Sequence, residues 1–133
     1  MELQMRVALV YNLKRSFGLR LDGPADALAE YDSVETIEAL EGALQAGGNQ
    51  VLRLEADATF LDAVRLANPD ICFNIAEGLH GDSRESHVPA VLEMLDDGDS
   101  GLVYFHIIYS SPTRLSCCAV NRYNLASIYS FVK

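Results

Sequence analysis

The sequence predicts an α/β fold, a small open parallel sheet with helices on both faces, and three observations carry that expectation. The stretch "MRVALVY" (5–11) ends in the unbroken apolar run Val7, Ala8, Leu9, Val10 and Tyr11, which suits a strand buried on both faces. Beyond it, strand-like and helix-like patterns alternate as β-α-β-α-β-loop-α, and the rules for connection and handedness turn such alternation into a parallel sheet. With 133 residues, 50% hydrophobic and 22% charged, the chain is about one domain long and globular in composition.

After the first strand a long polar segment runs to residue 31. "DSVETIEALEGALQAGG" then offers Asp32 or Ser33 as helix N-cap, Glu35 three residues after Asp32 as in a capping box, and Ile37, Leu40 and Leu44 on one face before Gly47 and Gly48. "QVLRLE" (50–55) alternates as a second strand. "TFLDAVRLA" (59–67) puts Leu61 and Val64 on one helical face, with Phe60 as a further member, and "NP" stops it. "DICFNI" (70–75) is the expected third strand. The last helix presents Val88, Val91, Leu92 and Leu95, with Pro89 tolerated in its first turn.

Charge and composition exclude several function classes. A formal net charge of -9 leaves no basic footprint for nucleic acid or an anionic membrane. No apolar run approaches the ~18 residues of a membrane span, and the acid at position 2 followed by a strand-like stretch disfavours a secretory signal, so a cytoplasmic protein is expected. The three cysteines, Cys72 and the adjacent Cys117 and Cys118, form no CxxC and have no His at ligand spacing, which argues against a metal site and a disulfide framework. All 19 acids lie in residues 1–99, and residues 100–133 carry only the charges of Arg114, Arg122 and Lys133. That last stretch shows no sustained period of 3.6 or 2, although "LVYFHIIY" could add an edge strand.

In open α/β sheets, ligands bind beyond the carboxyl ends of the strands. Two segments leave those ends: the one after strand one and "FNIAEGLHGDSRES" (73–86) after strand three. The familiar chemistries do not fit them. GxxxxGK[ST], GxGxxG after strand one and GxSxG are all absent, and a phosphoacceptor site would need carboxylates where Asn74 and "YN" stand. His80 and His87 flank Asp82, Arg84 and Glu85, so acid-base work is chemically open to the loop. A solvated, capping connection is the plainer reading.

The strings "MRVALVYN", "EYDSVETIEALEGALQAGGNQVLRLEAD" and "PDICFNIAEGLHGDSRESHVPAVLEML" resemble the N-terminal, pre-ATP-grasp domain of the D-alanine:D-alanine ligase-like ATP-grasp family, especially the branch with FN-x-x-EG followed by RE and a Pro. The resemblance covers about residues 4–95. It implies a Rossmann-like domain bordering the substrate site of an ATP-dependent carboxylate-amine ligase of peptidoglycan biosynthesis, with Asn74, Glu77, Gly78, His80, Gly81, Arg84 and Glu85 as substrate-binding residues and none of them catalytic. It further implies an amino-acid or peptide substrate, and ATP and Mg2+ held by later domains rather than by this stretch.

Departures from the family begin at Asp96, where "DDGDSGLVYF" replaces a "GIPYTGS"-like continuation. After strand one, "YNLK" replaces a Gly-rich turn, leaving Glu30 a loose counterpart of the substrate-amine Glu. The expected organisation is therefore a ligase domain over 1–95 and an atypical tail over 96–133, of frameshifted or edge-strand origin. As such a fragment the chain would be inactive without an ATP-grasp body, whether a partner or a homo-oligomer completes it. The alternatives are a standalone α/β binding or interaction module without catalysis and the nonfunctional product of a damaged gene.

Overall fold

The computed structural model describes residues 4–13, 32–78 and 81–95, and the backbone of 103–111 and 114–120. The elements follow as β1 (Arg6–Tyr11), α1 (Val34–Ala46), β2 (Gln50–Glu55), α2 (Phe60–Ala67), β3 (Ile71–Asn74), a turn of 3-10 helix (Arg84–Ser86), α3 (His87–Leu95), β4 (Val103–Ser111) and β5 (Arg114–Val120). They form an α/β structure around one open sheet in the order β2-β1-β3-β4-β5. β1 pairs in parallel with β2 and β3, β3 in parallel with β4, and β5 closes the edge antiparallel to β4. The sheet thus continues past residue 95, with β4 inside it and β5 outermost.

Side chains of a strand alternate between faces, so register assigns the helices to layers. Ala8 and Val10 of β1 lie in one cluster with Leu54, Phe60, Val64, Cys72, Val88 and Leu92, which seats α2 and α3 on that face. Leu9 is in register with Arg53, and the Arg53 guanidinium forms an ion pair with Glu41 of α1. α1 therefore covers the opposite face, with Ile37 as its buried anchor. Val7 to Val10 are all buried because both faces of β1 are covered, as their unbroken apolar run requires.

Local chemistry moves several expected boundaries. Ser33 alone is the N-cap of α1, its Oγ accepting from the Thr36 N–H at 3.2 Å. Asp32 is instead drawn to β1: its N–H donates to the Asn12 carbonyl at 2.8 Å, making an isolated bridge between Leu13 and Asp32. β3 begins one residue later than expected because Asp70 clamps the amino end of β1, accepting from the Arg6 N–H at 2.7 Å and donating to the Arg6 carbonyl at 2.9 Å. α2 buries Phe60 and Val64 and leaves Leu61 exposed, and it ends where Asn68 turns left-handed (φ 43°) before Pro69. Among the described residues, no helix is long and apolar enough to cross a membrane.

Candidate functional site

Asn12 stands at the centre of the sheet's carboxyl edge. It follows the apolar run of β1, and only 1% of its surface is exposed. A carboxamide in such a place must satisfy both its donor and its acceptor, or lose about 1–3 kcal/mol for each group left without a partner. Its Nδ2 donates to the Ala56 carbonyl at 3.0 Å, just beyond β2, and its Oδ1 accepts from the Gly78 N–H at 2.9 Å, beyond β3. Its backbone completes the arrangement, since its N–H meets the Asp32 carboxylate at 3.4 Å while its carbonyl accepts from Asp32. One residue thus joins the chain leaving β2, the chain leaving β3 and the chain entering α1.

The loop after β3 is shaped by its own residues. Asn74, 1% exposed, accepts at Oδ1 from the Ala76 N–H at 2.9 Å, which turns the chain off the strand. Gly78 has φ 81°, and a Cβ there would lie 2.2 Å from the Arg84 carbonyl oxygen. The chain therefore folds back over Gly78 so tightly that only glycine fits. Gly81, at φ 98°, opens the return turn, in which its carbonyl accepts from the Arg84 N–H at 3.2 Å. Arg84 and Glu77 are half-buried and Glu85 is exposed, while His80 lies outside the described residues.

Beside this loop a cavity of about 270 Å³ opens between the turn after β2 and the start of α3, lined by Ala56, Asp57, Phe60, Gly78, His87 and Val91 among others. Among the described residues expected to bind substrate, Gly78 alone lines it. Asp57 is engaged in shaping the turn, its Oδ1 accepting from the Thr59 N–H at 2.8 Å and the Thr59 hydroxyl at 2.6 Å.

Comparison with family models, with curated proteins and with solved structures returns no match. The site stands on its geometry.

Electrostatics at this edge are mild. Burial raises the Tyr11 hydroxyl above its ordinary value, with the Glu55 carboxylate as the next cause. Burial alone pushes the Cys72 thiol up to about 12, which makes it a packing group rather than a nucleophile. Among the described residues, no group of three or more His, Cys, Asp or Glu could hold a metal ion.

Asn12 and Asp57 are the residues that sequence patterning passed over, and Asp32 reads there only as a cap. Asn12 carried one readable signal: a carboxamide directly after an apolar strand, at the point where the loops of a parallel sheet diverge.

Proposed function

We propose that this chain is a Rossmann-like, substrate-side N-terminal domain of a D-alanine:D-alanine ligase-like carboxylate-amine ligase, cytoplasmic and dependent on an ATP-grasp body for nucleotide and Mg2+. The carrying observation is the way "FNIAEGLHGDSRES" leaves β3: the loop starts from the buried Asn74, turns at Gly78 against the Arg84 backbone, and sits on the carboxyl edge, where α/β sheets receive ligands. Its glycines answer to steric demands, which leaves Glu77, His80, Arg84 and Glu85 as the chemical part of the motif. A small amino-acid or peptide substrate suits such a set, because a guanidinium can hold a carboxylate and a carboxylate an ammonium group.

The test is ligation by a chimera in which residues 1–95 precede an ATP-grasp body of the family. Glu77→Ala and Arg84→Ala should each lose ligation at least about tenfold, by more than the fraction of chain that each variant leaves unfolded accounts for. Full ligation in both variants overturns the reading. The isolated chain should release no phosphate from ATP with D-alanine and Mg2+, because the acceleration of enzymes needs at least ~8 kcal/mol of barrier lowering that the described residues do not supply.

A further inference from the structure

We infer that Asn12 is the positioning residue of this site: a single carboxamide fixes the chains beyond β1, β2 and β3 relative to one another, so that Gly78, and the Arg84 backbone packed against it, meet a ligand in one pose. The inference rests on the loop after β3 being the ligand-bearing one, but not on ligase chemistry. The side chain spans Ala56 and Gly78, neighbours of Asn12 from opposite sides of β1, at 3.0 and 2.9 Å. The partners force its orientation, since a carbonyl lies on one side and an N–H on the other. No other side chain of this length offers a donor and an acceptor in one fixed plane. Asp supplies acceptors only, Ser is too short to span the gap, and Gln carries an extra methylene that displaces the amide from both partners.

The joint also ties the loop after β3 to the base of the segment between β1 and α1, because the Asn12 backbone holds Asp32 at both its N–H and its carbonyl. Among the described residues, two carboxylates accept from the backbone at this point: Asp32 from the Asn12 N–H, and Glu55 of β2 from the Leu13 N–H at 3.3 Å. Their negative charge and the absence of bulk water make the amide the right neutral group here. A carboxylate in its place would stand against the Ala56 carbonyl and beside two like charges.

Residue-resolved amide exchange and chemical shifts on the full chain test this, with Asn12→Ala, Asn12→Asp and, as a control of general stability, Val64→Ala. In Asn12→Ala the Gly78 amide should exchange at least about tenfold faster relative to the Val7–Val10 amides, and the resonances of Asp32, Ala56 and Gly78 should shift together. Val64→Ala should show no such selectivity. In Asn12→Asp the burial and the two carboxylates raise the pKa of the new carboxyl. While protonated it donates to the Ala56 carbonyl as the amide does, and once ionised it loses that bond while Gly78 keeps an acceptor.

Equal acceleration of all amides in Asn12→Ala would reduce Asn12 to an ordinary buried residue. A response confined to the Gly78 loop, with Ala56 and Asp32 as in the parent, would show that the amide is not a joint. If Asn12→Ala does not fold, Asn12→Asp decides alone: a displaced Ala56 turn once the carboxyl ionises, with Gly78 retained, upholds the inference, and parent-like Ala56 shifts with the carboxyl ionised overturn it. No ligand enters these measurements, so their outcome is separate from that of the ligation test.

Discussion

Gly78 and Gly81 both hold positive φ, yet different neighbours surround them. A Cβ at Gly78 would lie 2.2 Å from the Arg84 carbonyl oxygen and 2.7 Å from its carbon, whereas one at Gly81 meets nothing within 4 Å. Gly81→Ala should therefore lose about 1–2 kcal/mol, the ordinary cost of a left-handed residue with a Cβ. Gly78→Ala should lose more, roughly 3 kcal/mol or above, because backbone must also move. Denaturant titration of the two variants checks the ordering, and equal losses would mean that the close approach to Arg84 is not maintained. The sequence made both glycines visible as turn residues. It could not separate them, since the contact spans six residues and depends on how the loop closes. Asn12 was hidden for a similar reason: its partners Ala56 and Gly78 lie 44 and 66 residues away.

Local patterns located the helices well because their signals are short-range. The periodic apolar positions of α1 and α3 and the Asn68–Pro69 stop all act within a few residues. Where the sequence left two caps open, a distant group decided: Asp32 is a respectable cap by sequence, but Asn12 engages it and leaves the task to Ser33. Ser33→Ala should accordingly lose about 1 kcal/mol of stability, while Asp32→Ala should perturb the carboxyl edge and leave the first turn of α1 intact. Thermal melting together with the Thr36 amide shift separates the two effects. β4 and β5 were harder to anticipate, since "VYFHIIYSS" and "RLSCCAV" have neither clean alternation nor flanking helical repeats, and β4 takes its place by pairing with the distant β3.

For the molecule as a whole, alkaline conditions probe the core directly. The Cys72 thiol, fully buried, is pushed up to about 12 from an ordinary 9.0, so between those values the unfolded chain loses a proton that the native chain retains. Fewer protons bound in the unfolded state means that stability falls as pH rises through this window, by an amount that reaches roughly 4 kcal/mol at its upper end. Cys72→Ala, less stable near neutrality because of its cavity, should show a shallower alkaline decline, and unfolding curves at several pH values read the difference in slope. Identical slopes would mean that Cys72 is reached by solvent. The bridge between Leu13 and Asp32 carries a consequence of another kind. It brings the two ends of the segment 14–31 together at the exit from β1, so the entropy lost in closing that segment grows only with the logarithm of its length. Doubling the segment with a flexible Gly/Ser insert should lower stability by only about 0.6 kcal/mol, and a loss proportional to the number of residues added would contradict it.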